Sequence, residues 1–221
     1  MDNDAANRLW RVLLVGGNSG AGKTVLTEEL VRYFGVSRLL VDDVRLALQA
    51  FTSVEWYPDL HYFAANLGVW DQSAESLCDG LIRVGEVLIT PLATIIAHHV
   101  VVTGAGPLII EGDGIAPQLA AERDFAGQKF FYGLKLRDQV RSIFVVESDE
   151  DAILSNMHAR GRGFDQLTPS EQRLQARTSR LYGQWLRQEA KQRGLHILAP
   201  RPWDTLAERA LVALTNSPLQ G

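Results

Sequence analysis

The chain has 221 residues, 46 % of them hydrophobic, with a formal charge of −4 and a pI near 5.7. That is enough apolar material to fill the core of one large domain, and the acidic balance argues against a surface built broadly for nucleic acid. The single cysteine, Cys78, excludes an internal disulfide and reads as a small core residue.

The first ten residues, MDNDAANRLW, are acidic and polar, so no usual secretory signal is expected and a cytoplasmic protein is the default. Val12 to Val15 form an unbroken apolar run, the pattern of a strand covered on both faces. A glycine-rich turn follows. A helix then runs through Thr24 to Leu30, with Val25, Leu26 and Leu30 expected inward. The turn GNSGAGKT matches G-x-x-x-x-G-K-[ST]. Its glycines permit φ > 0 and close backbone approach, so the N–H groups of Gly17, Asn18, Ser19, Gly20, Ala21, Gly22, Lys23 and Thr24 can converge on phosphate oxygens. The positive end of the following helix points the same way. Lys23 can neutralise β- and γ-phosphate charge, and the Thr24 hydroxyl can hold magnesium. This is a phosphate-binding loop.

Arg38 to Asp43 reads as a second buried strand ending in two carboxylates, followed by a short helix from Val44 to Phe51. Residues 52–72 are rich in aromatics, including Trp56, Tyr57, His61 and Trp70, and are expected to form short helices and loops of a cap. Ser73 can N-cap a long helix that carries Pro91 as a kink and ends near the turn at 103–107. It falls short of the roughly 20 unbroken apolar residues of a membrane span, so a buried helix is expected and no membrane partner. A third buried strand is Leu108–Gly114, and a weak helix covers Pro117–Arg123. Val140–Glu147 reads as strand four and Asp149–His158 as a helix. A basic loop, Arg160-Gly161-Arg162-Gly163, leads to a capping box at Thr168-Pro169-Ser170-Glu171 and a helix reaching about Gly194. Leu195–Leu198 is a short fifth strand, and Thr205–Leu214 a closing helix.

Alternating strands and helices predict a mainly parallel α/β sheet, with ligands at the carboxyl ends of its strands. Asp42, Asp43, Glu111 and Asp113 would then converge on the phosphate loop. Such a constellation suits phosphoryl transfer, which needs in-line positioning and charge neutralisation. Asp42 is favoured to take or orient the acceptor proton, with Asp43 as a further contact, although either can instead cap the helix after it. Glu111 is the candidate for magnesium water or a second acceptor contact, and Asp113 for substrate binding. Arg160 and Arg162 can close over the transferring phosphate. Arg173, Arg177 and Arg180 share a helix face, either as ligands or as a solvated basic surface.

GNSGAGKT, the strand-two VDDVR, the strand-three IIEGDG and the loop HARGRG resemble the P-loop small-molecule kinases of the nucleoside monophosphate kinase-like group. The chain is most similar to 2-phosphoglycerate kinase, whose Asp-x-x-Arg maps onto Asp42 and Arg45 and whose Ile-Ile-Glu-Gly maps onto Glu111. VDDVRLAL also looks like the Val-Asp-Ser-Phe of chloramphenicol phosphotransferase, again selecting Asp42. The resemblance implies a three-layer α/β/α sandwich with strand order 2-3-1-4-5, ATP and magnesium as cofactors, and a lid after strand four. It implies one domain over 1–221, with a helical acceptor side at about 44–105 and a lid at about 158–168. A phosphorylated acceptor such as 2-phosphoglycerate would recruit Arg45 and Arg177, whereas an uncharged aromatic or antibiotic-like one gives weight to Trp56, Tyr57 and Trp70. A GTPase switch is disfavoured, since neither N-K-x-D nor D-x-x-G follows at usable positions. A nucleotide-binding regulator with weak hydrolysis stays open, and the oligomeric state is not specified by the sequence.

Overall fold

The structure, a computed structural model, describes residues 10–65, 68–101, 106–121, 139–161 and 163–215. Five parallel strands form one sheet in the order β2-β3-β1-β4-β5: β1 is Val12–Gly17, β2 Ser37–Leu40, β3 Leu108–Glu111, β4 Val140–Val145 and β5 His196–Leu198. β1 lies at the centre, with Val12 opposite both Leu108 and Val140, and all six of its residues are buried. That is why its sequence is a continuous apolar run with no alternation.

The pleat divides the core in two. Val12, Leu14, Ile110 and Phe144 face one layer of helices, chiefly α4 (Ala74–Val101) and α7 (Pro169–Gln192). Leu13, Val15, Ile109 and Ile143 face α1 (Lys23–Phe34) and α8 (Leu206–Thr215) on the other side. The result is the expected three-layer α/β/α sandwich. By length and composition alone α4 could cross a membrane. Here Leu77, Leu88, Leu92 and Ile96 of α4 are fully buried in the protein, and Pro91 falls inside the helix without ending it. Ser73 Oγ accepts the Ser76 N–H at its start, as its N-cap position predicts.

Two local expectations are corrected. β2 ends at Leu40, and Val41, Asp42 and Asp43 form the first turn of α2 (Val41–Phe51). Two carboxylates at a helix N-terminus complement its dipole, which outweighs the strand propensity of a lone Val41. β2 is also an edge strand, half-exposed rather than buried. Similarly, Val25 points outward at 52 % exposure, while Leu26, Thr27 and Leu30 carry the buried face of α1. The remaining helices are α3 (Tyr62–Ala65), α5 (Pro117–Ala121) and α6 (Glu150–Arg160). Much of the polar-aromatic stretch at 115–140 lies outside the described residues.

Candidate active site

The loop joining β1 to α1 is held from behind on three sides. Asn18 is fully buried; its Nδ2 donates to Ser179 Oγ (3.0 Å) and to the carbonyls of Ser179 and Glu147 (both 3.1 Å), and its Oδ1 accepts the Glu147 N–H (3.1 Å). Ser179 Oγ donates to the Ser19 carbonyl (2.7 Å) and Asn156 Nδ2 to the Gly20 carbonyl (2.8 Å). The two ends of a peptide plane point oppositely, so tying the Ser19 carbonyl to α7 turns the Gly20 N–H to the ligand side. Gly183 lets α7 come this close, since a Cβ there would sit 3.0 Å from the Asn18 amide carbon. Gly20 and Gly22 have φ of 76° and 82°, and Gly22 serves as the N-cap of α1 without a side chain to occupy its first N–H groups. The loop is thus fixed from behind, and within it the Ala21 N–H donates to the Asn18 carbonyl at 3.2 Å.

Lys23 is 7 % exposed, donates to the Asn18 carbonyl at 2.9 Å and forms an ion pair with Asp113. Glu111, at the end of β3, is 5 % exposed and fully engaged. It accepts from Thr24 Oγ1 (2.7 Å), Thr27 Oγ1 (2.6 Å) and Arg38 Nη1 (3.2 Å). A carboxylate beside the loop threonine is a hard-oxygen pair of the kind magnesium takes, with waters and phosphate oxygens completing its shell. The donor chemistry therefore fits that ion at Thr24 and Glu111.

Two open spaces flank the loop. One, of about 470 Å³, is lined by Gly22, Lys23, Thr24, Val25, Arg160 and Trp203. The Trp203 ring packs against Gly22, where any Cβ would collide with it. Neither Trp203 nor the outward Val25 was expected here. A lone tryptophan in a proline-flanked loop has no periodicity to betray it; its position after β5, at a strand's carboxyl end, is the signal that could have found it. The other space, of about 300 Å³, lies on the opposite side and is bounded by α2, α4 and α7. Asp42, Arg45 and Asp113 reach its wall, and Tyr182 Oη donates to the Asp113 carbonyl at 2.6 Å. Burial first, then the Asp113 charge, pushes the Tyr182 phenol above its ordinary range, so it stays a neutral donor.

Asp113 thus links the phosphate loop, through Lys23, to the cavity that Asp42 and Arg45 also line, while Glu111 bonds Thr24 of the loop. Asp42 pairs with Arg45 at 3.2 Å, while Asp43 is absent from the residues lining these cavities. Arg160 closes α6 beside Trp203, and Arg162 lies outside the described residues. Arg177 is directed elsewhere: it bonds Glu75 of α4 at 3.1 Å on an exposed surface, and Arg180 bonds Glu150 at 2.9 Å. The i, i+4, i+7 spacing put these arginines on one face of α7, but cavity-facing positions belong to Gln175, Thr178, Ser179 and Tyr182.

No family model and no curated protein matches the chain. Among solved structures it is similar to a shikimate kinase from Acinetobacter baumannii in complex with shikimate, at 16 % identity over 96 % of this chain and 97 % of that one, with a TM-score of 0.52. A gluconokinase from Sinorhizobium meliloti 1021 aligns at 15 % identity over 94 % and 93 % of the two chains, TM-score 0.43. A deoxyadenosine kinase from M. mycoides with bound dATP aligns at 12 % identity over 93 % and 100 %, TM-score 0.45. At such identities the first likeness is one of fold, and it agrees with the strand order: the chain has the P-loop NTPase α/β/α fold.

Proposed function

We propose that the protein is an ATP-dependent kinase that transfers the γ-phosphoryl group to a hydroxyl of a small molecule. The observation that carries this reading is the pairing of Lys23 with Asp113, which joins the phosphate loop to a second cavity holding Asp42. A site for nucleotide alone would need only the first cavity.

In this reading the loop N–H groups and Lys23 bind the phosphates, and Trp203, Val25 and Arg160 hold the base side. Thr24, with Glu111 directly or through water, would hold magnesium, which would supply neutralisation of phosphate charge. Asp42 accepts the proton of the acceptor hydroxyl. That oxygen forms a bond to the γ-phosphorus as the bond to the β,γ-bridging oxygen breaks, and ADP leaves. Asp113 holds Lys23 between the two halves. Residues 44–105 form the acceptor side and 158–168 the lid of a single domain, and the protein works in the cytoplasm on a small-molecule acceptor, with no nucleic acid or membrane partner.

ADP release measured with and without a fractionated metabolite extract tests the reading. Release that rises with particular fractions and is lost in Lys23→Ala supports it. Release that no fraction alters points to a hydrolysing regulator instead.

A further inference from the structure

We infer that the acceptor is a neutral, single-ring molecule carrying a hydroxyl, gripped by its apolar faces, and that a phosphorylated metabolite is not the acceptor. This rests on the kinase reading above and concerns the cavity that reading assigns to the acceptor.

The main lobe, about 300 Å³, continues into a second of about 170 Å³. Phe63, Trp70, Leu81, Asp113 and Tyr182 line both, so they form one slot. This is the low end of the size range of small-molecule sites, room for one ring and its substituents. Its walls are apolar and flat. Phe63 and Trp70 lie 5.9 Å apart with planes tilted by 33°, and Tyr182 is stacked on Trp185 behind it at 5.4 Å. Leu81, Val84 and Leu88 of α4 supply the opposite side.

The charge is wrong for a phosphate. Among the described residues the charged side chains lining the slot are Asp42, Asp113 and Arg45, and both carboxylates are already paired, Asp42 with Arg45 and Asp113 with Lys23. A phosphomonoester carries about −1.5 to −2 charges and is usually met by several arginines or lysines. Arg177, the cation the sequence offers as a second, is engaged by Glu75 outside the slot. A phosphate here would find, among the described lining residues, no cation that is not already paired with a carboxylate. A neutral alcohol needs none. Among the described residues, the buried Thr178 Oγ1 has no hydrogen-bond partner and lines the second lobe.

The test titrates the whole protein, with a non-hydrolysable ATP analogue present, against 1,4-benzenedimethanol, 1,4-cyclohexanedimethanol and their monophosphates, each of which keeps a free hydroxyl. Calorimetry is read beside phosphoester formation with ATP. The diols should bind at least about tenfold more tightly than their monophosphates. Trp70→Ala should weaken diol binding by about fivefold or more without changing analogue affinity. Tighter binding of the monophosphates overturns the inference and leaves the kinase reading standing. Binding of neither class also overturns it. Diol binding that depends on Trp70, with no phosphoester formed, supports the slot's ligand class and defeats the kinase reading.

Discussion

The two halves of the candidate site are built differently. On the donor side each group has its position set more than once: Asn18 by four hydrogen bonds to Glu147, just past β4, and Ser179 of α7, and Glu111 by Thr24, Thr27 and Arg38. These residues end strands of the central sheet. On the acceptor side Asp42 is held by Arg45 alone among the described residues, and the surrounding segment leaves Phe51 92 % and Trp56 83 % exposed. A half whose geometry is over-determined binds the same phosphates whatever the acceptor is. A half walled partly by the short helices α2 and α3 can vary its ligand there at little cost to the fold.

If that contrast holds, donor-side and acceptor-side substitutions separate in kinetics. Lys23→Ala should have the largest effect, lowering turnover by about 10³-fold and weakening ATP, because it removes the one cation buried in the loop; steady-state kinetics with ATP titration checks it. Asp42→Asn should lower kcat by about 10²-fold or more with ATP affinity within about twofold, the mark of a lost proton acceptor. Normal turnover in that variant would remove Asp42 from the mechanism. Trp203→Ala should weaken ATP by about tenfold and leave acceptor KM unchanged, as read by nucleotide titration at saturating acceptor.

The smallest expected effect concerns stability. The Thr168–Glu171 capping box holds the Glu171 carboxyl below its ordinary range, first through the Thr168 hydroxyl and then through its N–H. A carboxylate lowered in the folded state contributes stability that is present above its unfolded pKa and lost as pH falls through the folded one. Thr168→Ala should therefore lower the melting midpoint by roughly 2–4 °C at neutral pH, and by less in acid. Scanning calorimetry across pH checks the sign.

Much of the donor half was legible in the sequence because its signals are local. The VLLVGG run declares a covered strand, GNSGAGKT declares the turn, and the strand order followed from the resemblance those residues carry. The acceptor half depends on which helix face meets which neighbour, and spacing along one helix cannot say that. Arg177 shows the limit: its periodicity was real, yet the packing of α7 on α4 sends it to Glu75 and brings Thr178 and Tyr182 to the slot. Val41 read as the continuation of β2 because strand ends and helix starts compete over one or two residues. Trp203 enters the site through the fold alone, from a loop some 180 residues after Gly22.

Following the γ-phosphate label of ATP tests the central claim most directly. The account predicts that the label moves onto a small-molecule hydroxyl as a phosphoester, that Lys23→Ala abolishes the transfer, and that Asp42→Asn slows it with ATP still bound. Label released only as inorganic phosphate, at a rate no acceptor changes, would contradict it.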